Sequence, residues 1–393
     1  MVFLAALIFS SGVPAQESDL ADIATALGLP RNASKAEILR AIGAKNTKQQ
    51  TVTEKVDKQI APSESGRYEV KQPTLGASEI KGAWYGRAEA VFLFRESLDA
   101  SSPLAINENG EEAPFEALGS GDLDADIAPG MRLMVGYQLN RAISLELTYM
   151  GLHSYNMRGS AISPDGDLSA AYGLDDDSES WGDTLAVESF ANAYSIRAMM
   201  ESHLHNAEFN LRHQVSKMGT VVPTLSAGLR YINVDETFEL VGIDEYDDLP
   251  VQWGRYKVSA DNNMIGLQMG LELTHVFTEW ASVSVMGKAG LLANIASGDT
   301  RIYASADDLV FSADDDELGL SLVTEAGAYA TFRPHKNFDI RIGYNALFLS
   351  GVALGSEQFG AALEQIGDVN KMNLNRNGNL LFHGPSFGFT LRF

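Results

Sequence analysis

The chain has no cysteine in 393 residues, so it has no disulfide staples, and its composition suits an oxidising compartment such as the periplasm. Beyond the N-terminus there is no run of 18 or more apolar residues, which excludes a transmembrane helix. If the chain spans a membrane, a closed β-barrel is the one remaining way, because lipid offers no partner to free backbone amides. Basic residues are scarce, 29 against 52 acidic ones, for a formal charge of −23. That balance argues against nucleic acid as a partner and is compatible with divalent cations or a hydrated surface.

What is present is alternation. The last residues, Phe387-Gly388-Phe389-Thr390-Leu391-Arg392-Phe393, place apolar groups on every second position up to the carboxyl terminus. An outer-membrane barrel strand reads this way, with lipid on one face and the lumen on the other. The ending resembles that of other outer-membrane barrels, and this resemblance implies that Phe393 is the assembly signal read by the barrel-insertion machinery.

Ten stretches qualify as strands: 83–96, 129–139, 142–155, 192–216, 220–241, 254–277, 280–304, 317–333, 337–350 and 379–393. Tight joins and long connections alternate strictly between them. The expected fold is therefore all-β, a transmembrane antiparallel up-and-down barrel of about ten strands over residues 82–393. Both termini belong on the short-turn side, in the outer membrane of a Gram-negative-type bacterium. The first residues, Met1 to Ala15, read as a signal peptide cleaved before Gln16. Residues 16–80 read as a periplasmic segment. It has two short helices, around Leu20–Gly28 and after Ser34, followed by a polar linker from Lys45 to Ser78.

The polar face of each strand is assigned to the lumen, because a charge facing lipid at mid-bilayer costs about 2–4 kcal/mol. The lumen charges are then Arg87, Glu89, Arg132, Glu146, Glu208, Arg212, Arg230, Glu272, Lys288, Glu325, Arg341 and Arg392. Both signs mix around the ring, and Glu272 and Lys288 on adjacent strands are expected in one network. Two readings stay open, a filled salt-bridged interior and a wet channel whose wall charges select solutes. Ten strands leave limited room, which favours the first. Strands 192–216 and 220–241 exceed the roughly 9–11 residues that a bilayer needs. Their outer faces turn polar at His205, His203 and Glu201 and at Asn233 and Asp235, so the barrel should project beyond the outer leaflet.

Three constellations are candidates for chemistry. Glu201, His203 and His205 share a strand face with a spacing that zinc could use, although a polar belt at head-group level accounts for them as well. The acidic runs Asp175-Asp176-Asp177, Asp244-Glu245 with Asp247-Asp248, and Asp314-Asp315-Asp316-Glu317 are expected in outer loops. There they are either solvated or bind calcium. Ser202 beside His203 and Glu201 could serve rim catalysis, but nothing marks a nucleophile, and no enzyme is expected.

Several strings resemble the family of putative β-barrel porins abundant in planctomycetes. They are Trp84-Tyr85-Gly86-Arg87-Ala88-Glu89, Gly228-Leu229-Arg230-Tyr231 with Glu236, Asn263 to Gly270, and Gly287-Lys288-Ala289-Gly290 with Asn294. The resemblance covers residues 82–393. It implies an outer-membrane location and carries no substrate or catalytic residue. Two functions remain open: surface structure or interaction, with membrane lipid, a surface partner or a further copy as partners, and a porin-like conduit for small solutes.

Overall fold

The computed structural model describes residues 30, 83–97, 103–108, 114–125, 127–171, 189–244, 252–304, 308–358, 363–366 and 369–393. The expected signal peptide and helical segment lie outside these residues, as do Asp175–Asp177, Glu245, Asp247 and Asp248. The chain divides into two units, Met1–Lys71 and Gln72–Phe393. The barrel belongs to the second.

Ten long strands form one antiparallel ring. They are β1 (Trp84–Ser97), β2 (Ala128–Gln138), β3 (Ile143–Ile162), β4 (Ser195–Gln214), β5 (Val221–Asp244), β6 (Gln252–Val276), β7 (Ala281–Ala304), β8 (Asp308–His335), β9 (Phe338–Val352) and β10 (Gly378–Arg392). Each pairs with its sequence neighbour. β1 pairs with both β2 and β10, which closes the ring, so among the described residues none of the ten long strands is left as an edge for another chain to add to. The last residue belongs to this closure, since Phe393 N donates to Trp84 O at 2.9 Å. Among the described residues, the only helical turns are short 3-10 pieces, and no helix is long and apolar enough to cross a membrane.

Exposure settles which face is which. On β6, Leu267 and Met269 are 69% and 71% exposed, while Gln268 between them is 5% exposed. The same rule runs round the ring. Leu147, Phe209, Leu229, Leu291, Ile342 and Phe387 point outward, and Glu146, Glu208, Arg230, Arg341 and Ser386 are buried inside.

Above the membrane band the rule inverts. On β5, Ile232, Val234, Phe238 and Leu240 are buried inward, and Asn233, Asp235, Thr237 and Glu239 take the outward positions. The inversion has a solvent cause. Outward groups meet lipid below and water above, while the interior stays closed throughout.

Two of the expected long connections are much shorter. β7 and β8 run paired up to Ala304 and Asp308, so Asp314, Asp315, Asp316 and Glu317 lie in a strand and not in a loop. Alternation splits the run: Asp314 and Asp316 are exposed, whereas Asp315 points the other way and accepts from Leu374 N at 3.2 Å. Glu317 pairs with Arg376 at 2.5 Å. Similarly, β5 reaches Asp244, a buried residue, before its turn. Asp and Glu are poor strand formers in isolation, but pairing along two long neighbours overrides that preference.

The outer end carries accessory strands. Pro103–Asn107, Phe115–Gly119 and Leu168–Ala170 form a three-stranded sheet, Asp124–Ala125 pairs with β3, and Leu363–Ile366 pairs with Val369–Met372.

Candidate functional site: the barrel interior

Inward-facing side chains fall into tiers. At the short-turn end, Arg333 and Arg392 both bind the Asp339 carboxylate, Arg333 Nε at 2.8 Å and Arg392 Nη1 at 3.0 Å. Just above, Arg212 bridges two acids, Glu146 at 2.9 Å and Glu272. The Tyr85 hydroxyl also donates to Glu146, at 2.8 Å. Arg87 Nε donates to Thr390 Oγ1 at 3.2 Å. These groups line a cavity of about 190 Å³.

The middle tier is a connected ion network. Lys288 lies 2.8 Å from Glu208 and 3.5 Å from Glu325. Arg230 is fully buried, 2.9 Å from Glu325, and also donates to Asn206 and Gln268. Arg132 reaches Glu89 at 3.2 Å and Glu325 at 3.7 Å, and donates to Asn345 at 2.9 Å. Arg341 stacks on the Tyr329 ring at 3.5 Å and approaches Glu89 at 3.5 Å. Register explains the pairing, because Glu89 faces Arg132, Glu208 faces Arg230, and Lys288 faces Glu325 directly across neighbouring strands. All twelve lumen charges named from the sequence lie in these two tiers. Glu272 and Lys288, however, take separate partners. They are offset by two residues in the β6–β7 register, with Glu272 opposite Met286, so Arg212 reaches Glu272 first.

The third tier is apolar. Val91, Leu93, Leu152, Ile232, Met264, Leu292, Leu347 and Phe382 belong to one buried cluster within the ring. Above them sits a pair that the sequence reading missed, Arg95 with Glu236, 2.6 Å apart and 2% and 0% exposed. Ser202 Oγ and Gly355 N also donate to Glu236, each at 3.1 Å. Arg95 has the same inward parity as Arg87 and Glu89, and Glu236 the same as Arg230. Parity alone could have found both.

The chain after β9 turns into this level. The Asn262 amide donates to Ala353 O at 2.7 Å and its oxygen accepts from Ala353 N at 2.8 Å. Gly351 makes the bend at φ +79°, where a Cβ would meet Leu320 O at 2.7 Å. A non-glycine residue is therefore disfavoured there twice, by backbone and by contact.

Outside the barrel, the candidate metal set does not converge. His203 Nε2 lies 3.3 Å from Glu201, while His205 Nδ1 bonds the Tyr149 hydroxyl at 2.8 Å. Among the described residues no group of three His, Cys, Asp or Glu is placed to hold a metal ion. Ser202 lies on the opposite face of the sheet from His203, bonded to Glu236, so the rim serine and histidine are separated by the sheet itself.

The same outer belt sets two acids side by side, since Asp235 and Asp261 face each other in register. Both stand beyond Ile265, where the lipid-type face ends. Partial burial holds the Asp261 carboxyl above its ordinary range, Asp235 adds to the rise, and a hydrogen bond from Asn233 opposes it. The folded chain then binds this proton more tightly than the unfolded chain. The carboxyl's contribution to stability is present at low pH and is lost as pH rises through its folded titration range. Asp261→Asn should therefore raise the melting temperature at neutral pH and leave it nearly unchanged in acid. Identical pH–melting curves for the two proteins would refute this.

A family model described as Putative beta barrel porin-7 matches residues 85–393. No curated protein matches the sequence. Among solved structures, the outer membrane protease OmpT from Escherichia coli is similar at 11% identity and TM-score 0.42, over 81% of this chain and 100% of that one. An outer membrane channel from Pseudomonas putida F1 is similar at 8% identity and TM-score 0.26, over 84% and 100%. OprG from Pseudomonas aeruginosa is similar at 11% identity and TM-score 0.23, over 80% and 97%.

Proposed function

The chain belongs to the beta barrel porin-7 family of the outer membrane, and on that premise we propose that this member is an occluded barrel serving surface structure or interaction. The observation that carries the reading is the apolar tier. Leu93, Ile232, Val234, Leu292, Leu349 and Leu380, all nearly inaccessible, meet inside the ring above the ion network. An ion crossing that level would shed its water without gaining a polar partner, and such constrictions stop conduction. The ion pairs below add a second obstruction, since opening the set would leave buried acids such as Glu208 and Glu325 unpaired. The outer end supports the surface role: its wall is polar outside, apolar inside, and crowned by accessory strands.

The experiment is planar-bilayer recording of the purified full-length protein. No stable conductance steps are expected. Steady, reproducible steps would overturn the closed reading. The porin-like conduit is the second reading, favoured by the family itself and by the cavity at the short-turn end. It requires the in-turned segment around Ala353–Gly355 to leave the barrel.

A further inference from the structure

The cavity at the short-turn end has an uneven charge balance. Five arginines and three carboxylates line it. Three of the arginines are committed. Arg212 serves Glu146 and Glu272, and Arg333 and Arg392 serve Asp339. That uses every carboxylate of the cavity wall.

Arg87 and Arg341 are left. Among the described residues, Arg87 has one hydrogen-bond partner, the neutral hydroxyl of Thr390. Arg341 is 8% exposed, and its Nε has no hydrogen-bond partner. Its nearest acid, Glu89 at 3.5 Å, is shared with Arg132, which lies closer at 3.2 Å. Arg87, Arg132 and Arg341 thus share the single carboxylate of Glu89 behind the wall, so positive charge around this half-enclosed space exceeds the negative charge beside it. In a chain of formal charge −23 this local excess is not a general surface property.

We propose that this cavity binds a small oxyanion of phosphate size and charge between Arg87 and Arg341. A guanidinium fork suits such an ion because its N–H groups match two oxygens at once. Neutralisation relieves two partly desolvated like charges that otherwise repel. Size limits the ligand. At about 190 Å³ the cavity is smaller than the roughly 300–1,000 Å³ of sites for drug-sized molecules, yet far larger than one water needs. An inorganic anion or a small carboxylate fits these limits. The inference is independent of conduction, because the cavity lies below the apolar tier whether or not that tier opens.

The test uses the full-length protein in detergent micelles and inorganic phosphate as the probe. Melting is followed in phosphate and in chloride at matched ionic strength, and phosphorus-31 line broadening reports binding directly. Phosphate should raise the melting temperature saturably and broaden the resonance, with sulfate competing. Arg87→Gln should weaken the apparent affinity at least tenfold, with each protein's phosphate response read against its own melting in chloride. Arg301→Gln, at the opposite end, should leave binding unchanged. Two results would overturn the site: phosphate and chloride indistinguishable in both readouts, or Arg87→Gln binding phosphate as the wild type does.

Discussion

Glu236→Ala is expected to lower the stability of the folded barrel by about 3–5 kcal/mol, because Arg95 would be left as a buried charge without its partner. The geometry makes the loss large. Arg95 donates to Glu236 through Nε at 2.9 Å and Nη2 at 2.6 Å, and neither residue reaches solvent. The other oxygen of Glu236 holds Gly355 N, so the in-turned segment loses an anchor at the same time. Replacing both charges, as Arg95→Met with Glu236→Leu, should recover most of the loss, since buried ion pairs rarely outperform apolar packing of similar volume. Recovery should be incomplete, because Ser202 and Gly355 N keep donors that cost about 1–3 kcal/mol each when unsatisfied. Urea titration of heat-modifiable gel migration would measure all three variants. A single variant losing under about 1 kcal/mol would mean that water reaches this level.

Arg212→Ala is expected to be the most damaging change in the lower tier. One guanidinium there serves two carboxylates, and its removal leaves both Glu146 and Glu272 without their ion-pair partner. Removing either acid alone should cost less, because Arg212 keeps the other. Full burial would predict about 3–5 kcal/mol. Arg212 is 19% exposed and borders the cavity, so the lower end of that range is expected. A double-mutant cycle of Arg212→Ala with Glu272→Ala should show coupling above about 0.5 kcal/mol. The same cycle between Glu272 and Lys288 should be close to additive, since their ion pairs are separate. The reverse ranking of the two cycles would contradict the pairing described above.

Much of the architecture was legible because a barrel wall repeats one rule. Leu267, Gln268 and Met269 already alternate in the sequence, and ten such stretches with alternating short and long joins imply an even, closed ring. The inward charges were legible for the same reason, as parity marks them. The rest was hidden where that rule reverses. Along β5 the inward face changes from Ser226 and Arg230 to Ile232 and Val234 while remaining inward. Read as polarity, the switch looks like a change of face, so the apolar tier and the pairing of Arg95 with Glu236 escaped notice. Acidity misled in a related way: Asp314 to Glu317 look like loop residues, yet they continue a strand whose partner runs equally far.

Local period and turn chemistry therefore determined, from the sequence alone, that the chain is an outer-membrane barrel of ten strands and which residues of its lower half face inward. Only the tertiary structure decided how those inward groups pair, because pairing depends on stagger between strands, which local sequence does not encode. The stagger sets Lys288 beside Glu325 and gives Glu272 to Arg212. The closure of the ring likewise places Arg95 of the first strand against Glu236 of the fifth, 141 residues away. It leaves Arg87 and Arg341 facing one cavity with more positive charge than its walls can match.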